Sequence, residues 1–260
     1  MDTTTLIAGI DYTDYPDLAD TAAQSRTVLA TVFNVRRDAP AGGDAEEEAP
    51  DEPESPVQPA VQPSVRVFEW NRASPLSART LILHAENTIG PVREALLVFD
   101  TASAQRQFPL FSAEYSSRAA DELITGYLFL TAELLARFSR HGGGTLAFLL
   151  RDQPSLAETI LVPSLKNRAE FSAAGVFASM AAKAFKAFSE NISASHAEDS
   201  AVRCILASVD PSISYEAAGS WLFDYIGELD AVKNARSPKQ LVQWIKYGSR
   251  PSSGFQFFKR

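Results

Sequence analysis

The sequence predicts an α/β protein, a three-layer α/β/α sandwich around a mostly parallel sheet, and three observations predict it. Six short apolar runs alternate with helical stretches. Several of those runs are apolar throughout rather than at every second residue, as strands buried on both faces are. The first run opens at residue 4 and closes on an alanine and a glycine. In order, the strands are expected at Thr4 to Ala8, Thr27 to Asn34, Val65 to Trp70, Ala95 to Asp100, Thr145 to Leu150 and Val202 to Val209.

The helices fall between them. Ser74 caps a helix from Pro75 to Asn87, with proline at the first helical position. Arg118 to Arg140 carries Leu123, Ile124, Tyr127, Leu128, Leu134 and Leu135 at helical spacing and stops at Gly142-Gly143-Gly144. Phe171 to Ala194 is alanine-rich with Phe177, Phe185 and Phe188, a composition for close helix packing. Tyr215 to Leu229 and Pro238 to Tyr247 are expected as a final helix pair before the basic, aromatic tail at 248–260.

The 260 residues are 45% hydrophobic and 22% charged, ordinary for a single globular domain spanning 1–260. The net charge of -8 resides in one place, because residues 38–54 hold eight acids and no base. The rest of the chain is balanced, so acidity says little about partners. Residues 38–64 add six prolines to those acids and little that is bulky, and are expected to be a disordered insertion. A single cysteine, Cys204, excludes an internal disulfide and a cysteine-rich zinc site. No apolar run reaches the roughly 20 residues of a membrane span. The start MDTTTLIAGIDYTDY has no basic leader, which points to a soluble cytoplasmic protein.

Other constellations have bland readings. Asp11, Asp14, Asp17 and Asp20 are spaced like cation ligands, yet acids in and before a first helical turn are the simpler account. His141 with three glycines reads as a helix C-cap, and no Gly-x-Ser-x-Gly accompanies it. His84 and His196 take structural or surface roles, and Cys204 lies inside a buried strand. From Ala231 to Arg260 seven bases interleave with five aromatics, without an acid. Burial at a subunit contact accounts for these better than nucleic acid, since the remaining chain is not basic.

The order of elements resembles a Rossmann-type sheet, and from Val65 onward it resembles the short-chain dehydrogenases/reductases more closely. GPVREALLVFDTA resembles the strand that ends in that family's Asn-Asn-Ala-Gly; ELITGYLFLTAELLARF with GGGTLAFLL resembles its interface helix and following strand. SAAGVFASMAAKAFKAFSENISA resembles the helix that normally carries Tyr-x-x-x-Lys, and VRCILASVDP the strand after it.

The resemblance implies chemistry that this chain lacks. Of the family's glycine-rich first turn only Gly9 remains, and Asp11, Asp14 and Asp17 stand where pyrophosphate would lie, repelling an anion. Asn-Asn-Ala-Gly becomes Phe99, Asp100, Thr101 and Ala102; the serine falls near Leu150 or Arg151; tyrosine and lysine become Val176 and Met180. Sliding the frame puts Ser179 before Lys183 or Ala182 before Lys186. Tyrosine and lysine work as a unit, so their joint loss predicts a catalytically inactive relative, a pseudoenzyme serving as scaffold, binding or oligomerisation module. No cofactor, catalytic residue or metal is then expected, and the vestigial site comprises Gly9, Asp11, Asp14, Asp17 and Asp100. The alternative is an atypical NAD(P)-dependent oxidoreductase holding NAD or NADP in an altered way. Expected partners are further copies of the chain, as dimer or tetramer, through the two long helices with Tyr127, Phe177, Phe185 and Phe188, and a possible protein partner.

Overall fold

A computed structural model describes residues 3–33, 65–161, 175–232 and 242–251. Seven parallel strands form one sheet in the order β3-β2-β1-β4-β5-β6-β7. They are β1 (Thr3–Ala8), β2 (Arg26–Val32), β3 (Arg66–Glu69), β4 (Glu94–Asp100), β5 (Gly144–Arg151), β6 (Val202–Val209) and β7 (Trp244–Lys246). The expected α/β/α sandwich is thus present.

Strand alternation divides the apolar residues into two cores. Leu6, Leu97, Phe99, Phe148 and Leu206 face one side, under α2 (Pro75–Ile89), α5 (Gly126–Arg140) and α7 (Val176–Ser195). Ile7, Val98, Leu149 and Ile205 face the other, under α1 (Pro16–Ala23) and α8 (Tyr215–Val232). β4 and β5 are buried along almost all of their length, because helices cover both faces. Ser74 accepts from the Ser77 amide at 3.2 Å and caps α2, with Pro75 at its first position.

The expected helix from Arg118 to Arg140 is interrupted. It comprises the end of α4 (Ala113–Ala120), a π-helical turn (Asp121–Thr125) and α5. The π turn ends at Gly126, where a Cβ would lie 2.8 Å from the Arg72 backbone oxygen and Cβ, so only glycine fits the close approach. Three shorter helices were not anticipated: α3 (Thr101–Gln107), α4 and α6 (Leu156–Leu161). α6 opens on a capping box in which the Ser155 hydroxyl accepts from the Glu158 amide and the Glu158 carboxylate accepts from the Ser155 amide.

The expected helix Pro238 to Tyr247 is a correction, since Trp244–Lys246 pairs with Leu206 to Ser208 as an edge strand. Its side chains follow a period of two: Trp244 packs on one core, Ile245 on the other, and the Trp244 indole donates to Glu190 on α7 at 2.7 Å. The insertion at 38–64, Asn34 at the end of the expected second strand, residues 171–174 of the expected alanine-rich helix, 238–241 of the expected last helix and 252–260 of the tail lie outside the described residues. Among the described residues no helix is long and apolar enough to cross a membrane.

Candidate functional site

Strand order reverses between β1 and β4, and the crevice above their C-terminal ends is where open parallel sheets place ligands. Here two assemblies of side chains occupy that region.

The first centres on Asp100, the last residue of β4. Its Oδ1 accepts from the Ala102 and Ser103 amides at 2.7 and 3.0 Å and so caps α3. Its Oδ2 accepts from the Tyr215 hydroxyl at 2.5 Å and lies 3.4 Å from Arg151 Nε. Arg151, the last residue of β5, covers the Tyr215 ring at 3.9 Å and donates through Nη2 to the Pro211 and Ile213 carbonyls at 2.7 and 2.9 Å. Tyr15 meets Tyr215 with ring centroids 4.5 Å apart, and Arg106 of α3 lies over Tyr15 at 5.5 Å. Residues at or beyond the C-terminal ends of β1, β4, β5 and β6 therefore converge on one phenol. Burial, with the Asp100 carboxylate beside it, pushes the Tyr215 hydroxyl far above its ordinary range, so it donates and does not ionise.

The second assembly joins residues that follow β2 and β3 to α3, α4 and the π turn. Arg72 lies over the Phe33 ring at 3.8 Å and donates to Gln107 at 2.7 Å; Gln107 in turn donates to Glu122, which also accepts from Arg118 at 2.6 Å. Beneath it the Tyr127 hydroxyl donates to the Val98 carbonyl at 2.6 Å and lies 3.2 Å from that of Gly9. Gly9 has φ +106°, and a Cβ would stand 2.1 Å from the Val98 oxygen. The surviving glycine thus serves strand and tyrosine packing.

Asp11 is committed to the chain itself. Its Oδ1 accepts from the Thr13 amide and hydroxyl at 2.9 and 2.6 Å, and its Oδ2 accepts from the Phe33 amide at 2.8 Å, fastening the end of β2. Asp14 and Asp17 are exposed, with Asp17 in the first turn of α1, whose first position is Pro16 and therefore offers no N–H. Tyr12 donates to Asp20 at 3.2 Å. The concavity bounded by Ile10, Tyr12, Tyr15 and Leu18 measures about 10 Å³, room for a single water. A wider groove of about 480 Å³, lined by Arg26, Glu94, Asp224 and Glu228 among others, lies at the opposite ends of the strands.

On α7, Val176 and Met180 are 56% and 48% exposed, so neither faces the crevice from the core. Lys183 pairs with Asp152, just past the end of β5, at 3.4 Å and with Glu158 at 3.3 Å. These carboxylates hold the Lys183 ammonium above its ordinary range against the opposing effect of burial. The Ser155 amide, with help from Lys183, holds Glu158 below the usual glutamate range. A carboxylate with a depressed folded pKa contributes stability above its unfolded pKa, about 4.3, and loses it as pH falls through the lower folded value. Amide exchange at Ser155 is therefore expected to accelerate below about pH 4 beyond the intrinsic trend, and to be fast at every pH in Glu158→Ala. Equal protection in both proteins at neutral pH would contradict this role.

Tyr127, Phe177 and Phe185 are 2%, 4% and 3% exposed, and Phe188 is half-buried. Phe185 lies 5.4 Å from Phe99, 5.0 Å from Tyr127 and 5.8 Å from Phe148, beneath α7 and against the sheet. The expected place of Tyr127, Phe177 and Phe185 at a subunit contact is thus corrected, since they belong to the core, while Phe188 packs on Phe148 and keeps part of its surface exposed. Phe177, Phe185 and Phe188 fall on the helical stripe that covers β4 and β5; Leu128, Val176 and Met180 face outward instead.

The remaining residues follow their bland readings. Gly143 donates to Phe138 as the cap of α5, His84 stacks on Phe68 at 3.9 Å, and His196 lies 3.2 Å from Asp199. Burial pushes the Cys204 thiol up to about 12, which leaves it inert at neutral pH. No group of three metal-ligating side chains occurs among the described residues.

Arg72, Arg151 and Tyr215 were missed as members of the site. Arg151 carried the clearest signal, an arginine closing a wholly apolar strand.

No family model matches the chain. Over 93 residues it is 31% identical to a protein of Treponema pallidum (strain Nichols) described as uncharacterized, across 36% of this chain and 42% of that protein, so it spans less than half of that relative. Among solved structures it is similar to an enoyl-[acyl-carrier-protein] reductase (NADH) from Aquifex aeolicus VF5, with TM-score 0.55 and 14% identity over 94% of each chain. It is also similar to short-chain dehydrogenases from Rhodopseudomonas palustris (0.55, 12%, covering 95% of this chain and 98% of that one) and Mycobacterium smegmatis (0.54, 13%, 95% and 92%). The chain has the fold of the short-chain dehydrogenases.

Proposed function

We propose that this chain uses the short-chain dehydrogenase fold as a catalytically silent scaffold, a self-associating or protein-binding module that holds neither NAD nor NADP. The observation that carries this reading is the pair of cation–aromatic assemblies over the strand ends, Tyr15-Tyr215-Arg151 on one side and Phe33-Arg72 on the other. The residues present do not fit a dinucleotide. Its rings would have to displace buried arginines together with their ion pairs, and its pyrophosphate would meet Asp100 and a first helix that begins with proline.

The proton-transfer side is equally unsuited. Lys183 is engaged by two carboxylates and the residue one turn before it is Ser179, so no tyrosine stands where lysine would lower its pKa. Self-association, as dimer or tetramer, is assigned to the outward faces of α5 and α7, where Leu128, Val176 and Met180 are exposed.

Calorimetric titration tests the reading. Neither NADH nor NADPH is expected to bind, and light scattering is expected to give a mass of at least two chains of 28.3 kDa each. A dissociation constant at or below about 10 μM for either nucleotide, near -7 kcal/mol, overturns the reading in favour of an atypical NAD(P)-dependent oxidoreductase.

A further inference from the structure

We propose that the crevice is a self-occupied ring site: the phenol of Tyr215 is its internal ligand, and the cavity left when that side chain is removed takes a neutral planar ring with one hydroxyl donor. This deepens the reading above and rests on its premise that no dinucleotide lies there. The Tyr215 ring is held as a bound molecule is held. Its hydroxyl donates to Asp100 at 2.5 Å, Arg151 covers the ring at 3.9 Å, and Tyr15 packs against it at 4.5 Å with an interplanar angle of 45°.

Two walls of this site, Asp100 and Arg151, do not depend on the ring. Asp100 is fixed by the Ala102 and Ser103 amides, and Arg151 by the Pro211 and Ile213 carbonyls. The backbone at residue 215 is fixed by Ser214, whose hydroxyl accepts from the Ala217 amide at 3.1 Å and whose carbonyl accepts from the Ala218 amide. Shortening the side chain at 215 therefore leaves a ring-shaped cavity with an acceptor at its end and a cation on its face. Asp100 at the hydroxyl end repels carboxylates and phosphates, so the site selects phenols over anionic rings.

The test is chemical rescue of Tyr215→Ala with p-cresol, the tyrosine side chain as a free molecule. At about ten times its dissociation constant, p-cresol is expected to raise the thermal midpoint of Tyr215→Ala by about 3 °C, and toluene by less, for want of the hydroxyl. The wild type and Tyr215→Phe, whose rings fill the site, are expected not to shift. If Tyr215→Ala does not fold alone, refolding with p-cresol is expected to recover soluble protein. Equal shifts in wild type and Tyr215→Ala, no shift in the variant, or no recovery on refolding overturns the proposal. Nucleotide binding by the wild type is measured separately and bears on the earlier reading alone.

Discussion

Asp100→Ala is expected to lower the thermal midpoint by about 8–16 °C, the equivalent of roughly 4 kcal/mol in a domain of this size. Three losses coincide at that one carboxylate. The α3 cap loses the acceptor for two amides, for which about 1 kcal/mol is typical. The Tyr215 hydroxyl, buried in the crevice, loses its acceptor. Arg151 is left as a buried cation without its counter-ion, the situation that makes breaking a buried pair cost about 3–5 kcal/mol. Asp100→Asn separates the contributions, since its amide oxygen still caps α3 while its charge is gone. It is expected to recover less than half of the loss in urea melts monitored by circular dichroism. A change below about 1 kcal/mol in Asp100→Ala would remove Asp100 from the centre of the assembly.

Gly9→Ala is expected to abolish folding, or to destabilise by more than about 5 kcal/mol. Two effects add: the backbone at φ +106° is unfavourable for any L side chain, and the new methyl would stand 2.1 Å from the Val98 carbonyl oxygen and 2.7 Å from the Tyr127 hydroxyl. Gly142→Ala is the matched control. Gly142 also has positive φ, +75°, but a Cβ there meets nothing within 4 Å, so conformational strain of about 1 kcal/mol is all that is expected. Soluble expression and urea midpoints of the two variants compare them directly. Similar stability for both would show that the close approach at Gly9 is easily relieved.

The sheet was legible because a strand buried on both faces must be apolar at nearly every position, as Ala95 to Phe99 and Leu146 to Leu150 are. The seventh strand was not, because three residues are too few to show a period in the sequence, and the stretch from Pro238, a residue suited to a first helical position, was expected as a helix. The π turn at Asp121–Thr125 was invisible for a different reason: the close contact at its end, Gly126 against Arg72, joins residues some fifty apart in sequence. α6 could have been found, since Ser155 and Glu158 form a capping box readable in the letters SLAE. At the site, the missing glycines and the missing tyrosine were plain, but not what replaces them. Asp11 looked like a charge placed against phosphate and is a clasp on the end of β2. Arg151 and Tyr215 are 64 residues apart, and only the parallel crossing of β5 and β6 brings them together.

The junction between β1 and β4 also sets a clock for folding. Thr5 faces Glu94 across it, so the central strand pair closes a separation of 89 residues. During synthesis β1 can pair early with β2, only about twenty residues downstream, but its other edge stays open until β4 leaves the ribosome. From the end of β2 to the end of β4 is 68 residues, and at 5–20 residues per second that wait is about 3–14 s. Through it a half-sheet bearing Leu6, Ile7, Val28 and Leu29 presents an unpaired edge and two apolar faces, the form in which nascent chains associate wrongly. The arrival of β4 is therefore the step that joins the first half of the sheet to the strands β5, β6 and β7 that follow it.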